Sequence, residues 1–192
     1  MTTVRSQEEL DGLARRASRG DSAALDAFLA DLEPLVVRAA RLVVGSGSWA
    51  AEDAAQEALL DLARGIRTLR EPKAIKIWAL RIATQRALKV SGRERLLRFR
   101  RDAQMEPRWA EPEDGRAAAI KEAFARLPPR LRATAVLRLH AGLSEAETAD
   151  VLGCSTGTVK SNLHDARKQL TEALRSRGFA PSTMPLEVTS PR

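Results

Sequence analysis

Apolar residues along this chain recur at steps of three and four, the spacing of one helix face, and no β-branched run alternates as a half-buried strand would. Leu10, Leu13, Ala14 and Ala17 mark a first short helix that stops at Arg19-Gly20. Asp21 suits the N-cap of a second, with Leu25, Phe28, Leu29 and Leu32 on one side, and Pro34 restarts the pattern through Leu35, Val36, Ala39, Leu42 and Val43. Gly45-Ser-Gly-Ser reads as a turn. From Trp49 to Ile66 the stripe is Ala55, Leu59, Leu62 and Ile66, and from Lys73 to Val90 it is Ile75, Trp78, Ala79, Ile82 and Ala83. The predicted fold class is all-α, two small helical domains joined by a flexible linker.

The second half is more sharply punctuated. Ala117 to Arg126 predicts a lead-in helix with Ile120, Phe124 and Leu127 packing beneath the helices that come after it. Pro128-Pro129 opens a helix carrying Leu131, Ala135 and Leu139, and Gly142 closes it. Ser144 and Glu147 form the Ser-x-x-Glu capping box of a short helix with Ala149 and Leu152 facing inward, broken at Gly153-Cys154. Ser155 then caps a helix whose apolar stripe is Val159, Leu163, Ala166 and Leu170. A short helix, a tight break and a polar-faced helix make the geometry that lays the first helix over the phosphate backbone and puts the second in the major groove. The outer face of that second helix carries Thr156, Thr158, Lys160, Ser161, Asn162, His164, Asp165, Arg167 and Lys168. Hydroxyls and cations suit phosphates, while Ser, Asn and His suit base edges. Three short amphipathic helices with a solvated face would leave the same stripe, but the break and the small residues coincide here.

Composition narrows the partner. Among 192 residues the net charge is +7 and aromatics make up 4%, which fits a helical protein with a polyanionic ligand. The placement of charge says more than its total. Residues 1–62 are acidic on balance, while 63–101 form a basic block that includes Lys73, Lys76, Arg81, Arg86 and Lys89 against Glu71 and Glu94. Residues 102–114 turn acidic again and, with Pro107 and Pro112, read as a linker between domains at 1–101 and 115–178. The stretch 179–192 reads as a disordered tail. The single Cys154 excludes an internal disulfide and reads as a small buried packing residue; with two histidines it leaves too few soft ligands for structural zinc, so neither metal nor cofactor is expected. The N-terminus lacks the apolar core of a signal peptide and no apolar run is long enough to span a bilayer, so a cytoplasmic location is expected.

At this point the residues become recognisable. Leu127-Pro-Pro-Arg-Leu-Arg, Val136-Leu-Arg-Leu, Gly142-Leu-Ser, Ala149-Asp-Val-Leu-Gly-Cys-Ser and Gly157-Thr-Val-Lys-Ser resemble the −35 reading domain of bacterial sigma factors of the extracytoplasmic-function group. Ala51-Glu-Asp-Ala-Ala-Gln-Glu-Ala-Leu-Leu is similar to the segment of such factors that docks on the β′ clamp helices of core RNA polymerase. The resemblance implies that Asp53, Gln56 and Glu57, with Leu60 and Asp61 on the same side, face the polymerase, and that the rear domain meets the β flap. Trp78-Ala-Leu-Arg-Ile-Ala resembles the segment that opens the −10 element, which implies Lys73, Lys76, Arg81, Arg86 and Lys89 on phosphates, with Gln85 nearby. Trp78 itself, in register with Ile75 and Ile82, reads as core in preference to a stacking platform. Gln85 and Lys89 stand where such factors usually carry Asn and Asp, so the resemblance fixes no −10 base. Asn162 and Asp165 stand where they often carry arginine, and a carboxylate accepts from cytosine N4, so a shifted −35 preference is expected. An anti-sigma protein is a further implied partner, and no membrane insertion is expected.

Two other classes account for less. An operator-binding regulator would explain 127–170 but leave the Gln56-Glu57 face and the basic block without a use. A nucleic-acid enzyme would need a ligand set, a phosphate loop or converging carboxylates; Asp53, Glu57 and Asp61 share a face yet are strung out about 6 Å apart by the helix rise.

Overall fold

The computed structural model describes residues 5–45, 49–68, 75–98 and 115–179, with backbone alone for 93–98 and 116. The expected linker at 102–114, the expected tail beyond 179 and Lys73 lie outside the described residues. Every regular element described is helical: α1 Gln7–Ser18, α2 Ser22–Val44, α3 Trp49–Gly65, α4 Ile75–Arg98, α5 Gly115–Arg126, α6 Pro129–Ala135, α7 Glu145–Leu152 and α8 Thr156–Arg175.

Local chemistry sets the helix starts. Ser6 and Glu9 close a capping box on α1, and the Asp21 carboxylate accepts the Ala24 N–H at 2.9 Å to begin α2. The α2 helix then runs unbroken through Pro34, where the sequence pattern predicts a restart. A proline inside a helix costs about 3 kcal/mol. Pro34 sits on the exposed side, however, while Phe28, Leu32, Val36 and Val43 are buried along one face. Burial of each large side chain contributes about 1.5–3 kcal/mol, so the continuous stripe wins.

The front lobe, α1 to α4, is built on small residues. Ala50, Ala51, Ala54, Ala55 and Ala58 of α3 are all buried, and their short side chains bring α3 close to α2 and α4. Around them close Phe28, Leu32, Leu62, Ile66, Ile75 and Ala83. The α4 helix extends to Arg98, past the Val90 end that the apolar pattern predicts.

In the rear lobe, Ala123, Leu127, Ala135, Ala166 and Leu170 form a small core of their own. Two expected core residues lie elsewhere. Ile120 is 39% exposed, because α5 turns Ala119 and Ala123 inward instead. Leu139 is 38% exposed, because Val136–His140 continue α6 as a π-helical turn. The extra residue in that turn rotates the apolar face, so Val136 and Leu137 are buried in its place. Cys154 is half-buried in place of the buried packing residue expected, and in α7 Val151 is fully buried while Leu152 is half-buried.

The two lobes touch. Ala133, Val136, Leu137, Leu143 and Val151 of the rear lobe belong to the same continuous apolar cluster as the front-lobe core. The sequence predicts two lobes that each bury a core; the structure adds a shared layer between them, with α7 against α4 and α6 against α2 and α4.

Candidate nucleic-acid and protein interfaces

The helix-turn-helix is held by three local devices. The Ser144 hydroxyl accepts the Glu147 N–H at 3.2 Å, and the Glu147 carboxylate accepts the Ser144 N–H at 2.7 Å, a complete capping box at the start of α7. Gly153 ends α7 at φ 62°, ψ 45°, a left-handed conformation in which a side chain would be strained. Ser155 then starts α8, accepting the Thr158 N–H at 3.1 Å. The two helices leave this break with Val159, Leu163, Ala166 and Leu170 buried.

The outward face of α8 is the polar one. Thr156, Thr158, Lys160, Ser161, His164, Asp165 and Lys168 are exposed, and Asn162 and Arg167 are half-buried. Some of these groups already have partners. The Thr158 hydroxyl shares a 2.9 Å hydrogen bond with Ser155, so part of its capacity goes to the cap. The Lys160 ammonium lies 3.5 Å from Glu145 of α7, a surface pair that solvent screens. Toward its C-terminal half the face deepens into a shallow groove where Thr171, Glu172 and Arg175 join His164, Arg167 and Lys168. Thr171 and Arg175 lie beyond the last residue that the motif points to, which is why the pattern does not single them out.

On α4, Lys76, Arg81, Gln85 and Lys89 are exposed. Trp78 is half-buried and lies over Gly65 of α3, so closely that a Cβ there would stand 2.9 Å from the indole. It therefore serves the packing of α3 on α4, the core role read from its spacing. Arg86 does not point away with the other cations. Its guanidinium donates to Asp61 at 2.6 Å and to Glu57 at 2.8 Å, tying α4 to α3. Hydrogen bonding to Asp61, reinforced by the charges of Asp61 and Glu57, raises the Arg86 pKa above its ordinary value. Its expected place on a phosphate is thus taken, in this arrangement, by two carboxylates.

The same contact divides the α3 face. Asp53, Gln56 and Leu60 point outward, Leu60 with 54% of its surface exposed, while Glu57 and Asp61 are half-buried and turned toward Arg86. Trp49 lies on the outward side one turn before Asp53 and is 77% exposed, a large apolar addition that sequence reasoning passed over as a helix start. The outward strip therefore runs Trp49, Asp53, Gln56, Leu60, two apolar side chains bracketing two polar ones. Among the described residues, no group of three His, Cys, Asp or Glu side chains is arranged to hold a metal ion, and no helix is long and apolar enough to cross a membrane.

Comparison with known proteins fits this division. The family model for sigma-70 region 2 matches residues 28–101, and that for sigma-70 region 4 matches residues 117–170. The chain is 30% identical over 183 residues to the ECF RNA polymerase sigma factor SigD of Mycobacterium tuberculosis, covering 89% of this chain and 86% of that one. It is 34% identical over 161 residues to SigM of the same species, covering 81% and 79%. The RNA polymerase sigma-H factor of Pseudomonas aeruginosa is 29% identical over 186 residues, covering 88% and 96%. Among solved structures, CnrH in complex with the cytosolic domain of CnrY has a TM-score of 0.64 at 22% identity, covering 86% of this chain and 97% of that one. RpoE of Bartonella quintana, in complex with the anti-sigma factor NepR, has a TM-score of 0.64 at 23% identity, covering 78% and 96%; both show the shared fold. With the two matched regions falling on the two lobes, the chain belongs to the extracytoplasmic-function sigma factors, which bind RNA polymerase and direct transcription initiation at promoters.

Proposed function

We propose that the two lobes divide this work by residue as follows. The outward strip of α3, Asp53, Gln56 and Leu60, docks on the β′ clamp helices, and Glu57 and Asp61 support it from behind through Arg86. Lys76, Arg81, Gln85 and Lys89 of α4 face the −10 element, with Lys73 ahead of them in sequence. The α8 face from Thr156 to Lys168 reads the −35 element, while the rear lobe meets the β flap. The lobes correspond to domains at 1–101 and 115–178, with 102–114 as the connection. The chain works in the cytoplasm as a specificity subunit and has no catalytic activity or cofactor of its own. Because CnrH and RpoE were solved with a CnrY domain and an anti-sigma factor, a protein that covers these faces is a proposed partner here as well.

The observation that carries the reading is the α8 surface, buried along Val159, Leu163, Ala166 and Leu170 and polar on its outward face from Thr156 to Lys168, set off from α7 by a capped glycine break. Phosphate neutralisation would supply most of the affinity and make it salt-dependent, and a few side chains would supply base choice. The test is reconstitution with sigma-free core polymerase on promoter libraries. Transcription from a defined set of −35/−10 pairs is expected; duplex binding with no transcription would instead make the chain an operator-binding regulator.

A further inference from the structure

The two most exposed large apolar side chains among the described residues, Trp49 at 77% and Leu60 at 54%, lie on one face of α3. Asp53 and Gln56 stand between them, both exposed, so the four recur at steps of four, three and four. That is the spacing by which one helix packs along another at a shallow angle, each side chain fitting between side chains of the partner. From Trp49 to Leu60 the seam is about 16 Å long at the helical rise. Single apolar residues on a surface are ordinary. Two of them closing the ends of one seam, with polar residues between, are the arrangement of an interface.

The flanks of this seam are already neutralised. On one side Glu52 pairs with Arg41 of α2 at 2.7 Å. On the other, Arg86 of α4 donates to Asp61 at 2.6 Å and to Glu57 at 2.8 Å. Asp53, in contrast, makes no hydrogen bond or ion pair among the described residues. A partner therefore meets an apolar knob at each end and an uncommitted carboxylate between them. The fitting occupant is a helix with a pocket for the indole, a second pocket for Leu60, and a cation over Asp53. A polyanion is repelled by that carboxylate. A second copy of α3 fits less well: run antiparallel, it sets Leu60 against Trp49 but only the neutral Gln56 against Asp53, which covers a carboxylate without supplying a cation.

We propose that Trp49 is an anchor for core RNA polymerase, seated with Leu60 on either side of Asp53 against one helix of the β′ clamp. The inference rests on the assignment of the α3 strip to the clamp helices made above, and adds to it a residue one turn ahead of that strip. It also divides the energetics. The Asp53 charge governs encounter, and the apolar ends, once covered, govern how long the complex lasts.

The experiment follows association and dissociation separately for full-length chains and core polymerase. Trp49→Ala should bind about tenfold or more weakly, nearly all of it through faster dissociation, and Trp49→Phe should recover part of the loss. Because Trp49 is exposed at the first turn of α3, its melting temperature and −35 duplex affinity should stay as in wild type. Asp53→Asn should slow association at low salt, and the difference should vanish at high salt. A hydroxytryptophan placed at position 49, excited where ordinary tryptophan does not absorb, should shift its emission to the blue and resist acrylamide quenching once core is bound. Trp49→Ala binding core as wild type does, or quenching that is equal with and without core, overturns the proposal. So does an indole already protected in the free chain, which would mean that the chain's own residues cover it, or one protected as the free chain is concentrated, which would mean a second copy. If Asp53→Asn, Gln56→Ala and Leu60→Asp are silent along with Trp49→Ala, the strip assignment itself falls; if Trp49→Ala alone is silent, the strip stands and the anchor falls.

Discussion

The two lobes solve the problem of presenting a charged surface in opposite ways. In the front lobe, charges are drawn into bridges across elements: Arg5, ahead of α1, to Asp31 of α2 at 2.7 Å, Arg41 of α2 to Glu52 of α3 at 2.7 Å, and Arg86 of α4 to Asp61 and Glu57 of α3. In the rear lobe, the reading face of α8 makes one cross-helix ion pair among the described residues, Lys160 to Glu145 at 3.5 Å, and most of its other side chains are exposed. The front lobe thus spends charge on fixing long helices against each other and offers a narrow strip on α3. The rear lobe starts α7 and α8 with side-chain caps, which leaves the polar side chains of the α8 face for a ligand.

That contrast can be broken by attacking the core of one lobe. Phe28 is fully buried at the middle of the front cluster, and Phe28→Ala should destabilise that lobe by about 3–5 kcal/mol. Polymerase binding should then fail in a thermal or urea titration well before −35 duplex binding does. A simultaneous loss of both would mean that the shared layer, not the separate cores, dominates stability.

Next in size is the α3–α4 seam. Gly65→Leu would drive a side chain into the Trp78 indole, from which its Cβ alone would stand only 2.9 Å, costing about 1–3 kcal/mol. The near-ultraviolet dichroism of the indole should change while the α8 face keeps its duplex affinity; an unchanged spectrum would show that the ring is not held there.

The rear lobe is expected to answer to its caps. Ser144→Ala should cost about 1 kcal/mol and lower −35 affinity by loosening the angle between α7 and α8. Acid tests the same feature. Hydrogen bonds from Ser144 hold Glu147 below the usual carboxylate range, and the Ala24 N–H, helped by Arg16, does so for Asp21. A depressed folded-state pKa gives stability that is complete above the unfolded value, about 4, and is lost as pH falls through the folded one. Melting temperature should therefore hold from neutral pH to about pH 4 and drop below it. A decline that begins near pH 6 would assign the acid sensitivity to other groups.

The smallest expected effect is on base choice. Asp165 is exposed on α8, and Asp165→Arg should shift the preferred −35 base by about 1 kcal/mol, roughly fivefold, in a randomised-duplex selection. An unchanged profile would remove Asp165 from the reading set.

Legibility in the sequence follows the same divide. The rear lobe is open to reading because its devices are local: Ser144 finds Glu147 three residues on, Ser155 finds Thr158, and Gly153 breaks the chain between them. Three facts resist because they depend on residues distant in sequence or on backbone detail. Arg86 meets Glu57 29 residues away, so a cation in a basic block reads as a phosphate ligand when its carboxylates are out of sight. Pro34 reads as a restart until the buried stripe on both sides is seen to be one face. Leu139 follows the spacing of Leu131 and Ala135, and only the π-helical turn takes it outward. The layer joining the lobes has no local signature either, since Arg132 and Val44 are 88 residues apart.

The sharpest check on the division of labour is a pair of affinities measured on one variant. Leu60, 54% exposed in the α3 strip and remote from α8 in sequence, is changed to Asp, and the full-length chain is titrated against core polymerase and, separately, against a −35 duplex. Polymerase affinity should fall by about tenfold or more, as for the loss of a buried apolar anchor, with duplex affinity unchanged. Unaltered polymerase binding by Leu60→Asp, or equal losses in both titrations, would contradict the assignment of the β′ clamp helices to the α3 strip and of −35 reading to α8.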